Sequence, residues 1–552
     1  SAQEALEAAS IAGAEFAAAA CAAALDSSAE AVESACEGLS RDSHFIEDRG
    51  LAIWPDGTMG GRYAFRHSLY QEVLRARVPS ARRARFARRI AERLESAYRE
   101  RTEEIAAELA SHFADAALPE REIEARLLAA ERARRVAAPS EARAHASRGL
   151  ALLETLPAGL PRDRLEFGFV LVLAECAYSE HGHGGNDLRA MLDRLGELLE
   201  AAPDSAALYR AGFALDVTDL YGARLQQMID SSLRTAEIFR ERTTPAFECH
   251  ARALAGHAYF SMGRHLEAAS HLAGCEELIG KIASDPPQAL VPADPITIYH
   301  AVTAFVDWIL GYADRAAMHS QKVLERAEEV GNAHFRGWAP VAATFLRLFR
   351  REPRAVVEMA RSGIEFCTSH GEPGWAAMLT KHMQIARCML GEVADALPIF
   401  RRIAAAERAA GAMLWMPFDC ALEAEVCVAD GRLPEAHAAL TAGFAEVERS
   451  ENRSFEPELH RVLGDCALAD GDAEAAERSF RTALDLARSQ HARALELRAA
   501  IALGSLFRSQ RRERLVREAL APVYEAFTEG FDTPDLREAK RLLEATKPRR
   551  KV

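Results

Sequence analysis

The chain has 552 residues, 82 acidic against 68 basic, with a net charge of −14 and 49% hydrophobic residues. That is enough core for several domains or one long repeat array, and the acidic excess argues against a surface given over to nucleic acid. Alanine, leucine, glutamate and arginine dominate, no apolar run reaches the ~18 residues of a membrane span, and ten scattered cysteines form no CxxC pair, so an all-α cytoplasmic chain with reduced, buried thiols is expected.

Residues 1–112 read as a first domain. Helices are expected over Ala2–Ser10 and Ala29–Asp42, where Val32, Cys36 and Leu39 share a face. The stretch Ile11–Leu25 contains Glu15 and follows Glu4 and Glu7, so it is not read as a signal peptide. Phe45-Ile46, a turn at Pro55-Asp56-Gly57 and Arg62–Phe65 predict a small β-hairpin. Helices then follow over Ser68–Arg77 and Ala81–Arg99, split by Pro79. Helices with one short hairpin make a winged-helix-like module.

From 113 to 546 a repeat array is expected. Its weak early units are a helix over Ser140–Leu156 and one over Phe167–Ala177, broken by the HGHGG run at His181–Gly185. Turn-like segments then recur at Gly222, Gly263, Gly311, Arg351, Gly391, Gly431, Gly471 and Arg511, with a first one near 182. From Gly311 the step is 40 residues; the Gly222–Gly263 step is 41; the Gly263–Gly311 step is 48, and a proline-rich loop (Pro286, Pro287, Pro292, Pro295) accounts for the extra residues. Five residues past the marker stand Ala268, Ala316, Val356, Ala396, Ala436, Ala476 and Val516; nine past it stand Leu272, Ser320, Ala360, Phe400, Leu440, Phe480 and Leu520. The two sites share a helix face, a small one for close approach and a larger one to fill the next layer. Each unit is therefore helix, tight turn, helix, and because one hairpin cannot cover its own apolar face the units stack into an α-solenoid. Pro534–Thr546 reads as a capping helix, and Lys547-Pro548-Arg549-Arg550-Lys551 lies in a basic tail, 547–552.

Two terminal segments carry a family resemblance. AFRHSLYQEVLRARVPSARRARFARRIAERL, with ALEAASIAGAEF ahead of it, resembles the winged helix of bacterial STAND signal-transduction ATPases; LAPVYEAFTEGFDTPDLREAKRLL resembles the end of their tetratricopeptide-like superhelix. The resemblance implies a sensor that binds a protein, peptide or small-molecule signal. A complete member carries a P-loop NTPase ahead of the winged helix. Here no G-x-x-x-x-G-K-[ST] is present, since Gly280-Lys281 is followed by Ile282 and lacks the upstream glycine. No nucleotide hydrolysis and no cofactor are expected of this chain, and whether it is part of a longer ATPase or stands alone is left open.

Candidate residues follow. The resemblance implies that His67 senses nucleotide held by an NTPase domain; the plainer reading is a helix-capping histidine. Arg82, Arg83, Arg85, Arg88 and Arg89 lie in a run of ten arginines that could grip phosphates or line an interdomain surface. His181, His183 and Asp187 suggest a metal only weakly, and a loop is the expectation. Phe335, Trp375, Trp415 and Phe455 are spaced by 40 near the start of each first helix, the position that lines a concave groove; they are candidates for stacking on a ligand, with inter-repeat packing as the plainer role. HExxH, GxSxG and Rossmann fingerprints are missing, so no enzyme is expected. The alternatives are a DNA-binding regulator acting through the arginines, or an adaptor that restrains an effector enzyme. The sequence leaves the oligomeric state open.

Overall fold

The computed structural model describes residues 2–42, 44–136, 138–181, 186–238, 244–284, 294–331 and 333–546. Helices dominate, and the described strands form a single small sheet. The chain forms two compact units, 1–179 with 197–203, and 180–196 with 204–552.

The first unit begins α1 (Ala2–Ala12), β1 (Glu15–Ala17), α2 (Ala18–Leu25), α3 (Ala29–Asp42), β2 (Ile46–Ile53), β3 (Met59–Phe65), α4 (Ser68–Arg77) and α5 (Ser80–Tyr98). The expected hairpin is present, and β1 adds a third antiparallel strand to give the order β1-β3-β2. The β1 segment is short and set among alanines, so its only signal is Phe16, which is buried on the rings of Tyr63 and Phe65. Helix α5 is amphipathic for a plain reason: Phe86, Ile90 and Leu94 recur at i, i+4 and i+8 and are buried, while the arginines take the other face.

After α5 come α6 (Ala106–Asp115), α7 (Pro119–Arg135), α8 (Pro139–Leu153) and α9 (Leu160–His181). The boundary expected at 112 is not where the chain divides. Phe113 is fully buried in the core shared with Ile90 and Leu94, and the Arg121 guanidinium covers its ring at 4.4 Å. Helices α6 to α9 thus belong to the first unit. The HGHGG run lies outside the described residues apart from the backbone of His181, and so does the basic tail.

The second unit opens with α10 (Asn186–Glu197) and α11 (Ser205–Tyr221), α12 (Leu225–Ile238), α13 (Pro245–Ser261), α14 (His265–Ala273) and α15 (Cys275–Ser284). It continues α16 (Pro295–Ile309), α17 (Ala313–Val330), α18 (Ala333–Phe349), α19 (Pro353–Ser369), α20 (Pro373–Met389) and α21 (Val393–Ala409). It closes with α22 (Met416–Ala429), α23 (Leu433–Ser450), α24 (Glu456–Ala469), α25 (Ala473–Ser489), α26 (Arg493–Ser509), α27 (Glu513–Glu525) and α28 (Pro534–Ala545). From α16 on, each even–odd pair of helices is one hairpin, α16 with α17 through α26 with α27.

The turn inside each hairpin passes through one left-handed residue: Ala223, Gly263, Gly311, Arg351, Gly391, Gly431, Gly471 or Arg511, all with φ between 52° and 96°. The next residue donates its N–H five residues back, as Arg264 does to Tyr259 O (2.9 Å) and Asp472 to Ala467 O (2.8 Å), closing a Schellman-type cap. At the earliest of these turns the left-handed residue is Ala223, not Gly222, whose φ is −73°. The step to Gly263 is therefore 40, like those from Gly311 on. A second left-handed series, Gly331, Gly371, Gly411, Glu451 and His491, follows α17, α19, α21, α23 and α25 on the same beat. The proline-rich 285–293 segment lies outside the described residues, and Pro295 is the first residue of α16, not part of a loop.

Every small residue five past the turn is fully buried, from Ala268 to Val516. In three hairpins the larger residue four further on packs against a glycine on the preceding helix. Leu272 faces Gly256, Phe480 faces Gly464 and Leu520 faces Gly504. Large against small across these three hairpins lets their helices interdigitate closely.

Candidate functional site

The first helices of the hairpins, α16, α18, α20, α22, α24 and α26, turn one face toward a common interior of the second unit. That face is occupied by the chain itself. Phe335, Trp375, Trp415 and Phe455 are all buried, at 6%, 9%, 8% and 3% exposure. Trp415 stacks on Phe345 at 4.1 Å and meets Phe305 at 5.7 Å and His257 at 5.6 Å. Phe455 packs on Phe418 (4.6 Å), Phe349 (5.2 Å) and Phe260 (6.2 Å). The Trp375 indole N–H donates to His334 Nδ1 at 3.3 Å. In this conformation the four rings are packing elements and present no open stacking surface. Trp308, off this series, stacks on Phe349 at 5.0 Å.

Beside the aromatics, the interior holds charge that a reading of motifs did not single out. Lys381 of α20 is buried, and its ammonium donates to Glu407 (2.6 Å) and Asp419 (2.8 Å). Burial alone would lower its pKa; the two carboxylates override that and hold it above the usual lysine range. Burial pushes Asp419 up to about 6 against the pull of Lys381.

A larger network joins five elements. Arg461 pairs with Glu458 (2.9 Å), Glu425 (3.0 Å) and Asp465 (2.5 Å); Arg351 pairs with Glu425 (2.7 Å); Arg498 pairs with Asp535 (2.8 Å) and donates to Phe349 O. Burial would raise Glu458, but the guanidinium groups of Arg461, Arg498 and Arg351 hold it well below the usual carboxylate range. One signal for these residues exists in the sequence. Glu458 and Arg498 fall on the repeat position of Phe418, and Arg461 on that of Ala421, so charge stands where neighbouring units carry apolar side chains.

The first unit places its candidates differently. His67 is exposed and caps α4, its Nδ1 accepting the Leu69 N–H at 3.3 Å. No residue of α4 is fully buried, and Leu69 (55% exposed), Tyr70 and Val73 form an outward apolar stripe, with Phe45 against Tyr70 at 5.1 Å. The arginines are largely engaged with the chain's own groups. Arg82 bridges to Glu7 (3.0 Å) and covers Phe86, Arg88 pairs with Glu92 (2.7 Å), and Arg89 reaches Ala24 O (3.1 Å) and Asp26 (3.3 Å). Arg93 pairs with Asp56 (2.9 Å) over Trp54, and Arg75 pairs with Asp115. Arg83 is half-buried and Arg85 exposed.

All ten cysteines are buried, unbridged thiols. Among the described residues no three His, Cys, Asp or Glu side chains gather as a metal site would require, and no helix is long and apolar enough to cross a membrane. His183 lies outside the described residues, and so do the side chains of His181 and Asp187.

No protein-family model matches the chain, and no curated protein does. Solved helical-repeat structures are similar to it. One is a Rap protein complexed with competence and sporulation factor, with 12% identity and a TM-score of 0.38 over 77% of this chain and 99% of that one. Another is the Cut9–Hcn1 hetero-tetramer of APC/C, with 14% identity and a TM-score of 0.45 over 84% and 90%. A third is a STAND protein with a tetratricopeptide repeat sensor from Pyrococcus horikoshii, with 12% identity and a TM-score of 0.30 over 99% and 64%.

Proposed function

We propose that this chain is a non-catalytic sensor and scaffold of the STAND type, in which the repeat array receives a protein or peptide signal and the first unit relays its arrival. The observation that supports this most directly is the repeat itself. Hairpins on a 40-residue step, with their first helices turned to one interior, build an extended binding face from many weak contacts. Phe335, Trp375, Trp415 and Phe455, packed away in the closed array, are the residues proposed to meet the partner once the interior opens, and a small-molecule signal would enter the same interior.

In this reading the first unit is a winged helix, and α4 is its output surface. Leu69, Tyr70 and Val73 dock on a partner domain, and His67 at the head of the helix contacts nucleotide held there. An exposed apolar stripe on a helix with no buried residue suits a protein contact better than solvent. The adaptor role uses the same stripe with an effector enzyme as the partner.

A peptide-array and co-purification screen tests the reading. Partners are expected to be lost with Leu69→Asp/Val73→Asp or with changes to the inner face, and an absence of any partner for folded protein sinks it. A gel shift at low salt separates the DNA alternative. Binding lost with an Arg82/Arg83/Arg85 triple alanine variant would favour DNA, but with Arg82 tied to Glu7 no shift is expected.

A further inference from the structure

The array of the second unit does not merely curve; its successive turns touch. The segments between units, Gly411–Trp415 and Glu451–Phe455, lie outside helices. Met413 and Leu414 donate their backbone N–H groups to Tyr221 O (2.7 and 3.0 Å), and Ser454 donates to Ser261 O (2.9 Å). Both acceptors lie about five repeats earlier. Further along the same seam, Asp314 and Arg315 donate to Glu529 Oε1 (2.8 and 3.0 Å), and Gly530 donates to Asp314 (3.0 Å). Neighbouring inter-unit segments are joined too. Asn452 donates to Leu414 O (2.5 Å) and Gln490 to Arg453 O (2.9 Å). Gly263 makes close approach possible here, since a Cβ on it would stand 2.8 Å from the Gln490 amide.

The seam is also poorly satisfied. Both ring nitrogens of His265, Ser454 Oγ and Gln490 Oε1 are buried with no hydrogen-bond partner, and in the neighbouring charged network so are Glu458 Oε2 and Arg461 Nε. Each such atom forgoes hydration that it would regain on opening. The aromatic core holds this interface shut while its polar atoms favour release.

We propose that the inner face is closed on itself, with Met413–Trp415 and Asn452–Phe455 standing where an extended, aromatic-bearing partner segment would lie, and that the seam opens as one unit to admit it. The partner half of this rests on the sensor reading above; the opening does not. An incoming segment would offer what these two offer now: N–H donors for Tyr221 O and Ser261 O, and a ring for the pocket of Phe305, Phe345 and Phe349.

Amide hydrogen exchange on the whole chain tests the opening, because the six amides of Met413, Leu414, Ser454, Asp314, Arg315 and Gly530 are bonded only across the seam. They are expected to exchange together, about tenfold or more faster than mid-helix amides of α22 and α24. A Ser261→Cys/Ser454→Cys disulfide should slow all six, with reduction restoring the rate. Should the bridge not form, Glu529→Ala should speed exchange at the distant Met413 and Ser454. Exchange at the global unfolding rate, or site-by-site responses that ignore the distant change, overturns the seam as a unit. A synthetic peptide of residues 411–418 then tests the occupant. It should bind the Glu529→Ala protein more tightly than wild type and be refused by the bridged form. Cooperative opening with no peptide binding to any form overturns the occupant while leaving the seam standing.

Discussion

Asp314 and Glu529 cap each other's backbone: Glu529 accepts the N–H groups of Asp314 and Arg315 at the start of α17, and the Asp314 carboxylate accepts the N–H of Gly530. This reciprocal capping joins residues more than 200 positions apart. Each single alanine variant is expected to cost about 0.5–2 kcal/mol, the range for taking a side-chain acceptor from backbone N–H groups. Because the two share one contact, the double variant should cost less than the sum. Urea midpoints of the four proteins check this, and simple additivity would show the pair to be independent.

Gly464→Ala is expected to destabilise by about 1–3 kcal/mol, the usual cost of overpacking. The added methyl would enter the ring of Phe480, which is fully buried and has no room to withdraw. Gly391→Ala should also cost stability, for a different reason: its surroundings are open, but φ is +96°. Adding Phe480→Leu should rescue the first variant and leave the second unchanged, as thermal melts will show.

Acid sensitivity should come from buried histidines. Burial lowers His250 to about 3, His257 to about 4 and His265 to about 3. Below pH ~6.5 the unfolded chain binds protons that these folded side chains refuse. Their contribution is therefore complete above that pH and is lost as pH falls toward 4, at roughly 1.4 kcal/mol per pH unit for each. Replacing His250 with Phe should flatten the fall in stability between pH 6.5 and 4.5, measured by denaturation at each pH.

Asp216 carries the opposite sign. Burial raises it to about 8, and its carboxyl lies against the Ser232 hydroxyl. Between pH ~4 and 8 the folded state holds a proton that the unfolded state releases, so this group's contribution is present below ~4 and is lost as pH rises to 8. Asp216→Asn should remove that loss, making the variant relatively more stable at pH 8 than at pH 5.

Lys381→Met leaves Glu407 and Asp419 without their cation and is expected to cost about 3–5 kcal/mol at neutral pH. The gap from wild type should narrow on acidification, as protonation discharges the stranded carboxylates. A gap independent of pH would mean that packing, not charge, is the loss.

The sequence showed the hairpin step because its cause is local. A left-handed turn and a buried small residue five positions on recur in every unit from Gly263, and each is set within a few residues of chain. The second left-handed series was harder to see because Glu451 and His491 fill positions held by glycine at 331, 371 and 411. Strand β1 is hard to read in the sequence because three residues amid alanines show no period. The filling of the inner face could not be read at all. It depends on how far each unit rotates against the next, and so on which residues meet five units later; Trp415 looks the same in sequence whether it faces a groove or Phe345. The charged interior was legible only as a break in the pattern, at Glu458, Arg461 and Arg498.

The contact of Leu414 with Tyr221 also bears on how such a chain can change over evolutionary time. Stacked repeats are ordinarily free to be duplicated or deleted, since each answers only to its immediate neighbours. Here, inserting or removing one hairpin between 263 and 413 would carry every later residue past its mate, setting Leu414 and Ser454 against the wrong carbonyls. The copy number in this stretch is locked by coil geometry, and length variation should be confined to loops that do not face the previous coil.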